Sequence, residues 1–464
     1  MFRLKSMFIM TSLMLVACTN AIAADSDSDL QQLRERLEQS EARLLKSEKL
    51  LQQSDARLAE LEASNSEKWL NEHRAEEIKS LVSEVLADAD TRASLLQDGA
   101  VAGHNGKNFF LSTADNTFLM KIAGHLQFRY LLNTENTGPD STDEGFQVRR
   151  AKVKFSGHVT AGRKWDYTLV LASSRKSGTN TSAEDIIIGT KLKEDLRVDV
   201  GKTKLPFLRQ ELTSSSRQLA ADRSSFTEFF TLNRGEQIRF TYTPSDVVKM
   251  ALSISDGSNS GTSDIGADGV RFAVTSRVDW KIAGEWSQMK DYTAWSGEPK
   301  GIFVGGAVHY QAGDDNNTAI DGNYLAWTFD ASIEVNNFGL SAAVAGGSTD
   351  FDTATDVDPI GFEIQASYLI KDDLEPFVRF EWIDDDVTSD ETVILTLGAN
   401  HYIKKHNAKL TIDTLWLLSD DDGLDGTLGS AGFGSSPFGS GLGFSGDGAG
   451  ENTALLRAQL QLLF

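Results

Sequence analysis

The chain has 464 residues, and 45 basic against 67 acidic side chains give it a formal charge of −22. That balance argues against a general nucleic-acid binder, and the single cysteine, Cys18, excludes both a disulfide framework and a zinc cluster. No run of eighteen apolar residues follows the first twenty-five, so a membrane crossing by the mature chain has to be made by strands.

Arg3 and Lys5 precede an apolar run from Met7 to Ala17, and Ala21-Ile22-Ala23 is a small-x-small cleavage site. Residues 1–23 therefore read as a signal peptide. Leu15-Val16-Ala17-Cys18 also resembles a lipobox, the alternative in which Cys18 becomes a lipidated first residue. Next, Leu30, Leu37, Leu44, Leu51 and Leu58 recur every seven residues, with Leu33 and Leu61 at the second core position and Ser40, Ser47 and Ser54 between them. This predicts an α-helical coiled coil, a stalk over 24–73 whose stretch 30–61 spans about 48 Å. The serines weaken it, so it assembles where a larger domain holds the strands together. Ile78, Leu81, Val82 and Val85 predict a second, amphipathic helix, and 74–107 reads as that helix and a linker.

From Phe118 the period changes to two. Phe118, Met120, Ile122, Leu126, Phe128 and Tyr130 share one face, and Lys121, His125, Gln127 and Arg129 the other. The pattern repeats along strands predicted at 118–132, 146–159, 164–173, 183–192, 195–203, 234–243, 247–255 and 268–280. It continues at 300–311, 322–335, 338–346, 359–370, 374–383, 391–403, 407–418 and 451–464. Connections alternate between short and long, with 281–299 an exception as a long one on the short side. An even number of long strands, each with one oily and one polar face, predicts an all-β domain over 108–464. Its expected form is a 16-stranded antiparallel transmembrane β-barrel preceded by the coiled coil, in the outer membrane with the stalk in the periplasm. Trp165, Tyr167, Tyr242, Trp327, Tyr368, Trp382 and Trp416 fall on lipid-facing positions, as interfacial girdles require. Eleven glycines between Gly423 and Gly450 mark a loop and not a phosphate cradle, since no helix pattern follows. The histidines have no metal spacing, so no metal and no cofactor is expected, and no Ser/His/Asp set of matching parity points to an enzyme.

Several segments are similar to the phosphate-selective porin O and P family. They are Phe146-Gln147-Val148-Arg149-Arg150-Ala151-Lys152, Gly201-Lys202-Thr203-Lys204-Leu205-Pro206-Phe207, Glu211 with Thr213-Ser214-Ser215, Arg223-Ser224, Arg234, and Leu397-Gly398-Ala399-Asn400-His401-Tyr402. The terminal Phe464, ending an alternating strand, resembles the assembly signal of outer-membrane proteins. The resemblance implies a trimeric sixteen-stranded channel whose third extracellular loop, here 204–233, folds inward.

A passive channel works through the charge and width of its narrowest zone. Strand parity turns Arg150, Lys152 and Lys154 toward the lumen, and with them Lys121, Arg129, Arg197, Arg239, Lys249, Arg271, Arg277, Arg379 and Arg457. The inward loop that the resemblance implies adds Arg209, Arg217 and Arg223. The expected partners are outer-membrane lipid and small anionic solutes such as phosphate, with a homotrimer as the assembly. Against this, Asp166, Asp199, Asp279, Asp330, Glu334, Glu363 and Glu381 share the inward parity, and a mixed-charge wall is the competing expectation. A second expected role is structural: tethering the outer membrane to the cell wall through the stalk.

Overall fold

The computed structural model describes residues 100–106, 108–134, 142–161, 163–173, 181–258, 260, 270–313, 322–350, 356–387, 391–419, 442 and 453–464. It also describes Lys46, Lys49, Gln53 and Ser54, all helical and exposed. The signal peptide 1–23, the rest of the stalk and the amphipathic helix expected after it lie outside the described residues, as does the glycine-rich loop apart from Leu442. The chain divides into two compact units, 1–96 and 97–464.

The second unit is built of strands. Two short ones, β1 (Ala100–His104) and β2 (Phe109–Thr113), precede sixteen longer ones. These are β3 (Phe118–Thr134), β4 (Thr142–Ala161), β5 (Arg163–Ser173), β6 (Thr181–Lys191), β7 (Leu196–Lys204), β8 (Arg234–Ser245), β9 (Val248–Ser255) and β10 (Val270–Ala283). The series continues with β11 (Gly301–Gly313), β12 (Asn323–Val335), β13 (Phe338–Asp350), β14 (Ile360–Tyr368), β15 (Leu374–Asp384), β16 (Thr392–Lys404), β17 (Ala408–Leu417) and β18 (Ala454–Leu463). From β3 onward each strand pairs antiparallel with the next, and β18 returns to β3, with Ala454 opposite Thr134 and Leu463 opposite His125. The sheet closes into a sixteen-stranded barrel, which leaves no open edge along the paired strands. All sixteen expected strands are present.

The period-two pattern is what the barrel realises. Val148, Ile188, Trp280, Val308, Phe329 and Leu460 point outward and are exposed, while their sequence neighbours of opposite parity face in. Among the described residues no helix is long and apolar enough to cross a membrane, so strands carry that role. At one end the connections are short: 162, 192–195, 246–247, 336–337, 369–373 and 405–407. Asn336 and Asn337 both take positive φ, the backbone twist that a two-residue hairpin demands and that asparagine tolerates. The exception on this end is the connection 284–300.

The structure corrects one boundary. The linker expected up to 107 contains strand β1, which pairs with β2 from Ala100 opposite Thr113 to His104 opposite Phe109. β2 then pairs with residues Leu119 to Ile122 of β3. The sequence offers little signal here, because Ala100-Val101-Ala102-Gly103-His104 is too short to show a period. β2 thus continues the edge of β3 that β18 leaves free. Between them, Phe464 exchanges two backbone hydrogen bonds with Gly124, the amide of Gly124 donating at 2.6 Å and that of Phe464 at 3.1 Å. A Cβ at Gly124 would stand 2.2 Å from the Phe464 ring, so only glycine admits the terminal side chain there.

Candidate functional site: the lumen

The connection from β7 to β8, residues 205–233 (L3), lies inside the barrel and nearly all of it is buried. It contains a short helix, α1 (Arg209–Leu212), a single 3-10 turn at Ser215–Arg217, and a second helix, α2 (Ser225–Phe230). Helix α2 forms where it does because Ser224 Oγ accepts the Thr227 amide at 2.9 Å, closing its N-terminus. Phe226, Phe229 and Phe230, spaced to share one helical face, pack into an apolar cluster with Ile383, Ile394, Leu415, Leu417 and Leu455 from the wall.

Irregular backbone in an enclosed space must find partners for its polar groups. From Ser215 to Asp222, L3 finds them on one side of the barrel. Gln127 donates to the Ser215 carbonyl, Gln461 to Ser216, Lys409 to Gln218, Asn400 to Leu219, Gln459 to Ala221 and Arg379 to Asp222. The Ala221 amide donates to Asp413 at 2.8 Å. L3 is therefore stitched to β3 and β15–β18, and inward groups there are sealed: Arg379 pairs with Glu381, Arg457 with Asp413, and both arginines are 1% exposed or less. On β10, Arg277 pairs with Asp279 and Asp330, and Gly305 leaves the room for them, since a Cβ would lie 2.3 Å from Arg277 Nη2.

Across from this packed half, the inward groups of β4–β8 keep contact with solvent. Arg197, 31% exposed, bonds Asp199 and the 39% exposed Asp166; Arg239 also reaches Asp199. Lys152 pairs with Glu184, and Arg234 joins both Glu184 and Asp185. The inward groups that solvent reaches accordingly trace a crescent-shaped passage along β4–β8, on the side of the lumen across from L3.

At the meeting of wall and loop sits a cluster of three arginines on one carboxylate. Asp222 of L3 is bound by Arg149 at 2.5 Å, Arg150 at 2.7 Å and Arg129 at 3.2 Å. Burial favours the neutral acid, yet Arg149, Arg150 and Arg129 hold the Asp222 carboxyl well below the usual carboxylate range. Burial pushes the nearby Glu228 carboxyl up. Next to it, Arg223 pairs with Glu211 and donates to the carbonyls of Gln210, Glu211 and Thr213.

Two consecutive arginines reach the same carboxylate because the strand is bulged. Gln127 faces Arg150 and Phe128 faces Val148, so Arg149 is the extra residue, and both it and Arg150 project inward. The same device recurs on β6, where Glu184 is the extra residue between Asp185 opposite Val170 and Ala183 opposite Leu171, and both acids reach Arg234. Each bulge thus turns two consecutive charged residues inward where a regular strand turns one.

The predicted residues fall into four groups. Lys152, Arg197 and Arg239 line the passage in ion pairs with acids, with Arg150 buried beside it in the Asp222 cluster. Lys121 and Lys154 share its inward parity and, like Arg217 on L3, form no ion pair with any described residue. Arg129, Arg209, Arg223 and Arg277 are buried, and their geometry is that of braces for L3 and the wall, a correction to their expected contact with solute. Arg209, for example, lies behind L3 between the rings of Tyr292 and Phe303, and Arg277 donates to the Phe207 carbonyl at 2.6 Å. Arg271 sits at a bulge between Val270 and Phe272 near the end of its strand, exposed and apart from the others. Most of the expected neutralising acids are realised: Asp166, Asp199, Asp279, Asp330 and Glu381 pair with arginines, whereas Glu334 and Glu363 form no ion pair among the described residues.

Parity alone missed Arg149, Glu184, Asp185 and Asp222. The signal for Arg149 was present: the outward apolar set runs Phe146, Val148, then Ala151, Val153, Phe155, a phase slip that requires an extra residue. Nothing in the local sequence marks Asp222, whose role comes from the path of L3.

A closed sixteen-stranded barrel with an oily exterior, a charged passage and an inward loop is an outer-membrane channel rather than an enzyme. The model of the phosphate-selective porin O and P family matches residues 120–425, and the chain belongs to that family. A protein of Aquifex aeolicus (strain VF5), described as uncharacterized, is 27% identical over 297 residues, covering 58% of this chain and 70% of its own. Among solved structures, OmpF of Salmonella typhi in complex with daunomycin superposes with a TM-score of 0.53 at 13% identity, over 78% of this chain and all of that one. The anion-selective porin from Comamonas acidovorans gives 0.52 at 14% identity, over 74% of this chain and 99% of its own. At such identities these two share the fold.

Proposed function

We propose that the protein is a porin passing small anions, such as phosphate, by diffusion along the crescent beside β4–β8. The observation that supports this reading is the basic lining at the loop: Arg149 and Arg150, consecutive at a bulge, meet on one carboxylate, that of Asp222. Farther along the same wall Lys121 and Lys154 add two cations with no acid partner among the described residues. In a narrow passage with low-dielectric walls such an excess is focused rather than screened, and it raises the local anion concentration. The acidic excess of the whole chain does not oppose this, because its field is screened outside over a Debye length of about 8 Å at physiological salt. The assembly we propose is a homotrimer in the outer membrane, with residues 24–73 as a periplasmic coiled-coil stalk exposed by removal of the signal peptide.

The test is the reversal potential of the reconstituted protein across a salt gradient. Wild type is expected to favour anions, and the double variant Lys121→Ala/Lys154→Ala to lower the anion-to-cation permeability ratio by roughly twofold or more. Cation preference in both proteins defeats the anion reading. The heptad leucines favour a second role, tethering the envelope to the cell wall through the stalk. Normal envelope integrity after deletion of 30–97 disposes of it.

A further inference from the structure

The connection 284–300 stands apart from the short turns around it. Its central residues Asp291, Tyr292, Thr293, Ala294 and Trp295 are all buried. They lie against the wall of the packed half: Asp291 Oδ2 is 3.2 Å from His406 Nε2, and Thr293 Oγ1 is 2.9 Å from the Tyr402 hydroxyl and donates to Glu375 at 3.2 Å. Trp295 meets Tyr402 edge-on with centroids 4.8 Å apart. At Gly339 a Cβ would stand 2.9 Å from the Tyr292 carbonyl oxygen, so the bare backbone there is what lets the segment lie flat on the wall.

The segment also touches L3. The Tyr292 side chain packs with Leu219 and Ala220 of L3 and with Phe377 of β15. Its ring centroid is 5.2 Å from the guanidinium carbon of Arg209, at the opposite end of L3's descending stretch. Arg209 forms no ion pair with any described residue; Nη1 donates to the Ser332 hydroxyl, Nε and Nη2 donate to no described residue, and the Tyr292 ring is a further support of that charge. Leu219 and Ala220 lie three and two residues before Asp222, the carboxylate on which three arginines converge.

We infer that 284–300 is a second inward element of the channel, entering from the periplasmic mouth, and that Tyr292 is the positioning residue through which it holds L3 at its working height. L3 is bonded to the wall from the side, and Tyr292 closes the remaining direction from below. The ring acts through the loop, since it touches neither the passage along β4–β8 nor the arginines themselves. Removing it leaves Leu219 and Ala220 without their apolar floor and Arg209 without its nearest ring, so Asp222 samples more than one distance from its arginines. This rests on the chain being a channel and is independent of which ion it prefers.

Single-channel recording of the full-length protein in planar bilayers tests the inference, with correct assembly checked by heat-modifiable migration. Tyr292→Ala is expected to broaden the distribution of open-state conductance by roughly twofold and to lower the permeability ratio between ions of opposite sign. Tyr292→Phe keeps the ring and loses only the hydroxyl's contact with Thr213 of L3, and is expected to stay much closer to wild type than Tyr292→Ala, which a general loss of stability on substitution does not predict. If Tyr292→Ala does not assemble, Tyr292→Leu gives the same readout with most of the volume retained. Assembled Tyr292→Ala or Tyr292→Leu channels with wild-type conductance and permeability overturn the inference. Wild-type protein that conducts no current overturns the channel reading itself and this inference with it.

Discussion

The two halves of the lumen carry the same local motif and use it differently. Arg197-x-Asp199 on β7, Arg277-x-Asp279 on β10 and Arg379-x-Glu381 on β15 each place an arginine and an acid two residues apart on the inward face, with the Nε bonded to the carboxylate at 2.7–2.9 Å. On β7 the pair is wet, with Arg197 31% exposed; on β15 it is dry. Only the cover differs, and L3 and the segment 284–300 supply it. The motif is a brace under cover and a charged surface without it, so its role is decided by a loop distant in sequence.

The largest effect that sharpens this comparison is expected at the boundary between the halves. Asp222→Ala leaves Arg129, Arg149 and Arg150 without their shared carboxylate, and should cost about 3–5 kcal/mol in denaturant unfolding. Assembled Asp222→Ala channels should favour anions more strongly than wild type. Within the halves, Arg379→Met strands a buried Glu381 and should also cost about 3–5 kcal/mol, whereas Arg197→Met on the wet side should cost about 0–1 kcal/mol. Equal losses from the two would break the comparison. Smaller again is Gly305→Ala, expected to destabilise by about 1–3 kcal/mol because the new methyl meets the buried Arg277 network. Gly189→Ala, whose methyl meets the buried Asp199 and the partly exposed Arg197 that can swing toward solvent, should cost less.

The smallest expected effect is of pH. A carboxyl whose folded pKa is depressed keeps its stabilising charge until the pH falls through that lowered value. Asp222 is held well below the usual range, so acidification through about pH 4, where free aspartates titrate, should leave the loop clamp and the conductance unchanged. Loss of selectivity in that interval would assign the control to another, less protected acid.

Most of the wall was legible because a barrel strand repeats a two-residue rule that lipid on one side and water on the other enforce. Strand β12, predicted at 322–335 and found at Asn323–Val335, shows how little context that rule needs. The site was less legible. Lys152 and Arg150 follow from parity, but Arg149 required noticing a phase slip, and Asp222 required knowing where twenty-nine residues of loop would run. The segment 284–300 was visible as a connection too long for its side; its inward path was not, since Asp291-Tyr292-Thr293-Ala294-Trp295 has no period of its own. Local chemistry specifies elements that bury against a uniform medium. It underdetermines those that bury against one another.

The seam at Phe464 bears on how the molecule is made. The partner of β3 along most of its length is β18, about 330 residues away in the chain, as Gln127 to Gln461 illustrates. Closure by so distant a pairing is slow, and until it happens β3 presents raw backbone to other chains. The hairpin β1–β2 occupies Leu119 to Ile122 from the outset and stops two residues short of Gly124, where the last side chain docks. The hairpin thereby leaves a berth of fixed length for Phe464. A β18 slipped in register would carry the ring past Gly124, so its docking reports that the seam has paired correctly.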